Sequence, residues 1–236
     1  MPCLLPPREA LQSATFTRDD AMITIHHLSA SRSERIVWLM EELGLEYKLE
    51  WFQREPTGAA PPAMKAMHTL GKAPLISDGD LLLAESGAIV DYIVHRYAGG
   101  RLALPPTSAD YARYVYWLHF AEGSLMSLML IALVLSRVPE AAESPVRKRI
   151  LDRMAQMLAY VDAELDGREW FAGGEFTAAD VMMVFPFTTM RGYLDYDLTP
   201  YANIGAYMKR IEARPAYRRA MALAGPAVSY RATGSV

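Results

Sequence analysis

Glu85 and Ser86 stand side by side where a short apolar segment ends and a helical pattern begins, in the stretch LLLAESGAIVDYIVHRY. A serine at this position can cap the helix, and the free amides of the first turn, here those of Gly87 and Ala88, attract a carboxylate. A neighbouring glutamate can pair with an ammonium group. The pair is therefore either a cap beside a solvated acid or a binding place for a ligand that carries both charges, such as a free α-amino acid end.

Three serines, Ser29, Ser31 and Ser33, lie between the first predicted strand and the first predicted helix. A hydroxyl at a helix N-terminus can donate a hydrogen bond to an anion, and the helix dipole favours negative charge there. If that anion is a thiolate, the arrangement lowers the pKa of the thiol and increases its nucleophilic fraction. Ser31 also has Glu34 three residues later, which is the spacing of a capping box, so its hydroxyl has an alternative role within its own helix.

The segment GKAPLI places Lys72, Ala73 and Pro74 directly before a short predicted strand. A proline at such an entry reports a rigid turn and in some proteins a cis peptide bond. A cis bond here would leave the backbone N–H and C=O of Ala73 free to pair with an extended peptide. An ordinary loop proline is the alternative interpretation.

The composition is that of an ordinary globular protein, because 52% of the 236 residues are apolar, 22% are charged and the net charge is −3. A chain of this length can bury a sizeable core in one large domain or two modest ones. The small negative charge does not favour binding to nucleic acid or to an acidic membrane surface. The longest apolar run, residues 128–136, is shorter than the roughly 20 residues that span a bilayer, so no membrane segment is expected.

Cysteine and histidine positions argue against several kinds of site. The one cysteine is Cys3, which leaves no possibility of a disulfide within the chain or of a cysteine-based metal site, and a reducing, cytosolic setting is expected. His26 and His27 alternate along a strand and so point to opposite faces, and the other three histidines have no partner at ligand spacing. We therefore expect no metal site.

The patterning divides the chain into two structured parts. Residues 22–100 mix strand and helix signals, and residues 107–225 are helical almost throughout, with a Gly- and Pro-rich linker between them. We expect residues 1–21 to be a flexible extension and residues 226–236 to be a tail.

The first part follows the order β-α-β, loop, β-β-α, which predicts a small mixed sheet with helices packed on it. Its elements are a strand at 23–28, a helix at 31–45 that ends near Gly44, a strand at 47–53, two strands around a turn at Asp78–Gly79 and a helix that begins near Ser86. The second part contains a long apolar helical stretch at 108–138, a striped helix at 144–167, a capping-box pattern at Thr177 and Asp180, and two helices separated at Pro215.

The order and spacing of these signals are more specific than any one of them. A serine at the start of the first helix, a Gly-x-Ala-Pro loop, a Glu-Ser pair that opens a helix and then a helical domain together resemble the cytosolic glutathione transferases. The lines SRSERIVWLMEELGLEYKLE, LGKAPLISDGDLLLAESGAIVDYI and FTAADVMM are similar to the serine-type bacterial and fungal members. The similarity covers residues 22–225. It implies a thioredoxin-like α/β N-terminal domain, an all-α C-terminal domain and a cytoplasmic homodimer.

The resemblance also implies a glutathione site, with glutathione as co-substrate and no permanently bound cofactor. Lys72, Ala73 and Pro74 would hold the cysteinyl backbone, with Pro74 in the cis form, and Lys72 is also a candidate for the glycyl carboxylate. Glu85 and Ser86 would hold the γ-glutamyl end, which carries both an ammonium and a carboxylate. This agrees with the chemistry deduced from the pair itself.

The residue that activates the thiol is left open between two serines. Other branches of the family use a tyrosine or a cysteine near the end of the first strand, and residues 23–37 contain neither. Ser31 and Ser29 both fall near the expected position, and Ser31, directly before Arg32, matches the serine-type branch better. Arg32 and Arg35 lie close by in the sequence and can influence the local field.

The second substrate is expected to be a small, apolar electrophile held against the helical domain. Candidates for that pocket, each of which is equally compatible with a core or dimer contact, are Tyr111, Tyr114, Trp117, His119 and Met126. Two other functions fit the same fold. One is a glutathione-dependent peroxidase or disulfide reductase, and the other is a noncatalytic glutathione-fold binding protein.

Overall fold

The first strand is the centre of the sheet, because it is parallel to one neighbouring strand and antiparallel to the other. The structure, a computed structural model, describes residues 22–225. The predicted extension at 1–21 and tail at 226–236 lie outside the described residues. The strands are β1 (Thr24–Leu28), β2 (Lys48–Phe52), β3 (Leu75–Asp78) and β4 (Leu81–Ala84), and the helices are α1 (Glu34–Leu43), α2 (Pro62–Met67), α3 (Ser86–Arg96), α4 (Tyr111–Phe120), α5 (Ser127–Ser136), α6 (Pro145–Glu164), α7 (Ala178–Met183), α8 (Ala202–Ala213) and α9 (Pro215–Ala224).

The sheet has the strand order β2-β1-β3-β4. β1 is parallel to β2, with Thr24 opposite Lys48, and antiparallel to β3. β3 and β4 form an antiparallel hairpin in which Leu75 pairs with Ala84. The predicted β-α-β unit followed by β-β-α is confirmed, and the expected mixed α/β half is followed by a helical half.

Helix α1 is shorter than the sequence predicts. It begins at Glu34 instead of Ser31, and it ends at Gly44, which adopts the left-handed conformation with φ of 63°. The amides of Gly44 and Leu45 both donate to the carbonyl of Met40, so the predicted glycine end of the helix is confirmed. The short helix α2 lies inside the segment that the sequence pattern indicates as a loop.

Helices α4 and α5 form one continuous helix through a π-helical segment at Ala121–Met126. Over Tyr111–Ser136 the helix has 26 residues and a mean hydropathy of 1.8 in its most apolar window, which is enough by length and composition to cross a membrane. The short apolar run at 128–136 is therefore not enough to exclude a membrane-spanning helix, contrary to the expectation from the sequence. The core helix of a water-soluble protein meets the same criterion, and 39% of this window is buried inside the protein.

One apolar core runs through both halves of the chain. Trp38 of α1 is 1% exposed and makes an edge-to-face contact with Tyr217 of α9, with ring centroids 4.9 Å apart. Trp117 of α4 is fully buried in the same cluster. Residues from both sides of the predicted linker belong to this one core. The division of the chain into two domains therefore stays a prediction.

The start of α7 is fixed by a buried capping box. Asp180 is 0% exposed, and its carboxylate accepts hydrogen bonds from the amides of Thr177 (2.9 Å) and Phe171 (3.0 Å). The predicted Thr177–Asp180 pattern is thereby confirmed. The contact with Phe171 adds a second role, because it holds the preceding loop against the helix.

We expect Asp180→Ala to lower the free energy of unfolding by about 2–4 kcal/mol, since it leaves two buried amides without acceptors. Urea denaturation followed by circular dichroism measures the change. Asp152→Ala is the matched control, because Asp152 is exposed and makes only a surface ion pair with Lys148. Its loss should cost about 0.5 kcal/mol or less. Equal losses in the two variants would contradict a structural role for the buried box.

Candidate functional site

A cavity of about 760 Å³ lies between the loops that follow β1 and β2 and the helices of the second half. Its lining combines Ser31, Lys72 and Ala73 from the first half with Met126 from the second. The complete lining is Leu28, Ala30, Ser31, Arg32, Arg54, Pro56, Thr57, Gly58, Ala59, Ala60, Gly71, Lys72, Ala73, Met126, Leu130, Leu133, Ser136, Arg137, Phe185, Met190, Gly192 and Tyr193. Two of the motifs predicted from the sequence therefore meet in one space.

The turn that carries Ser31 is held from both halves of the chain. Ala30 has a positive φ of 48°, a conformation that costs a residue with a side chain roughly 1–2 kcal/mol. Its carbonyl accepts hydrogen bonds from the Tyr193 hydroxyl (2.6 Å) and from Arg54 Nη2 (3.2 Å), and Arg54 Nε also donates to the carbonyl of Ser29. These contacts fix the turn in its strained form and direct Ser31 to the cavity wall.

Ser31 does not cap α1 through the predicted capping box. Its Oγ accepts a hydrogen bond from the amide of Ser33 (3.2 Å) and lies 2.7 Å from Ser33 Oγ. The carboxyl group of Glu34 contacts the hydroxyl of Thr189 at 2.7 and 2.9 Å instead of returning to the start of the helix. Ser29 is absent from the cavity lining, whereas Ser31 is part of it. The geometry thus favours Ser31 over Ser29 as the hydroxyl available to a ligand.

A buried histidine stands behind the two serines. His27 of β1 is 0% exposed, and its Nδ1 lies 2.8 Å from Ser33 Oγ. Burial lowers the pKa of His27 to about 4, so the ring is neutral near neutral pH. Its Nε2 has no hydrogen-bond partner among the described residues, and the ring packs edge to face on Trp51.

Positive charge dominates the cavity wall. Its charged residues are Arg32, Arg54, Lys72 and Arg137, and none of the described residues that line it is acidic. In a chain whose net charge is −3, such a concentration of cations favours an anionic ligand.

The Ala73–Pro74 peptide bond is cis, as the family resemblance implies. Neither the N–H nor the C=O of Ala73 hydrogen-bonds to another residue in the described range 22–225. Since Ala73 also lines the cavity, one pair of backbone groups is available to an extended peptide there. Lys72 is exposed beside it.

Glu85 and Ser86 lie at the same end of the β3–β4 hairpin as Pro74, because Leu75 pairs with Ala84. Ser86 is the first residue of α3 and is 3% exposed, so it is not the N-cap that the sequence pattern indicates. Glu85 takes the N-cap position with φ of 73°, and its side chain is exposed. A non-glycine residue in such a conformation stores strain of the kind that clusters at binding sites. Neither residue is part of the cavity lining, which they adjoin through the hairpin.

Of the five residues predicted for the second-substrate pocket, Met126 lines the cavity. Tyr114 and Trp117 are buried in the core, and His119 is exposed to solvent. Tyr111, like these three, is absent from the lining and packs against the edge of the core. These four residues precede Met126 by 7 to 15 residues, about two to four helical turns, and so lie too early in the long helix to reach the cavity.

The apolar wall instead comes from residues that the sequence analysis did not single out. Leu130 and Leu133 follow Met126 at i+4 and i+7, and Phe185 and Met190 come from the segment after α7. The helical spacing from Met126 was a usable signal for the first two. Nothing comparable marks Phe185 and Met190, which reach the cavity through tertiary packing.

Comparison with known proteins gives a consistent family. Residues 21–95 match the glutathione S-transferase N-terminal domain, and residues 125–215 match the glutathione S-transferase C-terminal domain. Over 210 residues the chain is 36% identical to glutathione S-transferase 3 of Schizosaccharomyces pombe, an alignment that covers 84% of this chain and 86% of the relative. The chain belongs to the glutathione S-transferase family.

Solved structures of this family share the fold. A glutathione S-transferase of Actinobacillus pleuropneumoniae superposes with a TM-score of 0.79 at 36% identity, and the alignment covers 89% of this chain and 95% of the chain in that structure. A sphingomonad glutathione S-transferase complexed with glutathione has a TM-score of 0.69 at 25% identity and covers 86% of this chain and 100% of its own. The predicted combination of a thioredoxin-like half and an all-helical half is confirmed.

In this glutathione S-transferase, Glu34 is a buried acid at the contact between the halves, next to the turn that carries Ser31. Burial raises the pKa of Glu34 to about 8, against the opposite effects of the Thr189 hydroxyl and the Arg35 charge. The carboxyl group therefore binds a proton in the folded state over a pH range in which it is ionised in the unfolded state. Its contribution to stability is present below the unfolded-state pKa and is lost as the pH rises toward 8.

We expect Glu34→Gln to remove this pH dependence. Between about pH 5 and pH 8 the parent should lose up to about 1.4 kcal/mol per pH unit relative to the variant, because one extra proton is bound in the folded state. Urea denaturation at a series of pH values gives the difference. Glu46→Gln, at an exposed position, is the control and should leave the parent profile unchanged. Parallel profiles for parent and Glu34→Gln would contradict the raised pKa.

Proposed function

We propose that this chain is a glutathione transferase that binds glutathione as co-substrate, lowers the pKa of its thiol and directs the thiolate at an electrophilic, largely apolar second substrate. The observation that carries the proposal is the meeting of Ser31 and Ala73 in one cation-lined cavity. Ser31 supplies a hydroxyl beside helix α1, and Ala73 supplies unpaired backbone groups beside a cis proline.

The proposed placement of glutathione follows from its chemistry. Its cysteinyl unit pairs with the backbone of Ala73 in the manner of an added strand, which directs the sulfur toward Ser31. Its glycyl carboxylate lies near the ammonium of Lys72. The γ-glutamyl end reaches the start of α3, where Ser86 and the free amides receive its carboxylate and Glu85 pairs with its ammonium.

Ser31 then stabilises the thiolate by donating a hydrogen bond to sulfur, and Arg32 in the same wall adds a favourable charge. The electrophile lies against the apolar wall of Met126, Leu130 and Leu133. In a substitution, the thiolate forms a C–S bond with the electrophilic carbon while the leaving group departs with its bonding electrons. The proton released from the thiol passes to solvent.

The cysteine content favours this reaction over chemistry that uses a protein thiol. The chain has one cysteine, Cys3, and the cavity lining contains none. A peroxidase or disulfide reductase reaction in this cavity would thus rely on the thiol of glutathione alone. A noncatalytic binding protein would have the same fold and would not lower the thiol pKa.

We extend the proposal to a homodimer that acts in the cytoplasm without a membrane. Ile131 and Val134 of the long helix are 49% and 62% exposed, and such apolar side chains suit contact with a second copy. A single cysteine in the whole chain suits a reducing compartment.

Glutathione binding should weaken when the γ-glutamyl contacts are removed. We expect Glu85→Gln and Ser86→Ala each to raise the dissociation constant by about ten-fold or more, since each deletes a charge-assisted hydrogen bond. Isothermal titration calorimetry gives the constants. Glu46→Gln should bind like the parent. A parent protein that shows no heat of binding would refute the placement and the function together.

The two candidate serines can be separated by activity. We expect Ser31→Ala to reduce kcat/KM for conjugation of glutathione to an aryl halide by about 10- to 100-fold near neutral pH, because a hydrogen bond to a charged sulfur is lost. The matched variant Ser29→Ala should lose less than about two-fold, since Ser29 is absent from the cavity wall. The reverse order of effects would assign the role to Ser29.

A further inference from the structure

Behind Ser31 the structure contains a chain of hydrogen-bonding groups that ends inside the core. Ser31 Oγ lies 2.7 Å from Ser33 Oγ, and Ser33 Oγ lies 2.8 Å from His27 Nδ1. Ser33 and His27 are each 0% exposed, and neither lines the cavity. Of these three hydrogen-bonded residues, Ser31 lines the cavity wall.

The hydrogen bonds around Ser33 restrict how its proton can be arranged. Its oxygen accepts from the amide of Leu28 at 3.2 Å, so one further lone pair and one proton remain for His27 and Ser31. The alternative acceptor for the Ser33 hydroxyl, the carbonyl of Leu28, is more distant at 3.4 Å. Ser33 must therefore accept from one of its two side-chain neighbours and donate to the other.

Only one of the two directions leaves a proton on Ser31 for a ligand. If His27 carries its proton on Nδ1, it donates to Ser33, and Ser33 donates to Ser31. The Ser31 oxygen then accepts from both the hydroxyl and the amide of Ser33, so its own proton is directed away from both, to the cavity.

In the opposite direction Ser31 donates inward and offers the ligand a lone pair, which repels a thiolate. That arrangement also moves the imidazole proton to Nε2, where no described residue can accept it. Orphaned buried N–H groups are rare in folded proteins, which is a further argument against it.

We propose that His27 and Ser33 are positioning residues that direct the Ser31 hydroxyl to donate to the bound thiolate, through the sequence His27 Nδ1–H to Ser33 to Ser31. This inference rests on the proposed function, because it concerns how Ser31 lowers the thiol pKa. No proton leaves the chain of groups in this arrangement. The network sets direction and polarises each successive O–H bond.

The test measures the pKa of the bound glutathione thiol, from the pH dependence of thiolate ultraviolet absorbance and of kcat/KM for an aryl halide. We expect Ser33→Ala and His27→Leu to raise that pKa by about 0.5–1 unit, because the donor loses its direction and polarisation. The smaller thiolate fraction should then reduce kcat/KM about two- to five-fold at a pH equal to the parent's thiol pKa. The dissociation constant for glutathione should change by less than about three-fold, since neither residue lines the cavity.

Two further variants distinguish direction-setting from simple loss of structure. His27→Asn should restore most of the parent pKa, because an amide N–H can donate from near the position of Nδ1. His26→Leu removes the neighbouring histidine of the same strand, which is also buried at 4% exposure but hydrogen-bonds to Glu50 and Ser77 instead. It should leave the thiol pKa at the parent value.

The possible outcomes distinguish failure of this inference from failure of the proposed glutathione transferase function. A parent whose bound thiol has the pKa of free glutathione would overturn both. A lowered parent pKa that persists in Ser33→Ala and His27→Leu would overturn this inference alone, as would an equal rise in His26→Leu. Ser33→Ala decides the matter by itself if His27→Leu does not fold.

Discussion

The ion cluster of Arg32, Arg35 and Glu122 is the contact on which the rest of the site depends. Arg35 is 1% exposed, and a guanidinium at such depth requires a compensating anion. Glu122 receives one donor on each carboxylate oxygen, from Arg35 and from Arg32. Although burial opposes it, the two cations hold the pKa of Glu122 below its ordinary value. The long helix therefore cannot slide along α1 without leaving a buried charge unpaired.

One residue from each wall of the cavity lies within about one helical turn of this cluster. Ser31 directly precedes Arg32, and Met126 follows Glu122 by four residues in the π-helical segment. A π-helical turn is wider than an α-helical one and is common at functional sites, and here it accompanies the change from a helix that packs in the core to one that lines the cavity. The guanidinium of Arg35 also lies 5.2 Å from the ring of Phe185, a residue of the cavity lining. The spacing between the Ser31 hydroxyl and the apolar wall is thus a consequence of charge pairing.

Features that depend on neighbouring residues could be predicted from the sequence, and features that depend on distant ones could not. The glycine end of α1 and the Thr177–Asp180 box follow from local backbone chemistry, whereas the cis form of Pro74 was expected from the family resemblance. The prediction of a capping box at Ser31 was wrong because the carboxyl group of Glu34 contacts Thr189, which lies 155 residues after Glu34 in the chain. The prediction of the second-substrate pocket was wrong for four of its five residues for a related reason. A helix that is apolar on most faces does not reveal which face the other half of the protein covers.

The turn at Ala30 shows why finding the motif residues was not the same as finding the site. A left-handed alanine persists only where other contacts over-determine it, and here Arg54 holds its carbonyl from the first half and Tyr193 from the second. Together they hold Ser31 where its oxygen meets Ser33 on one side and the cavity on the other. The position of the hydroxyl is therefore a property of both halves of the chain, although the residues that make it recognisable all lie in the first.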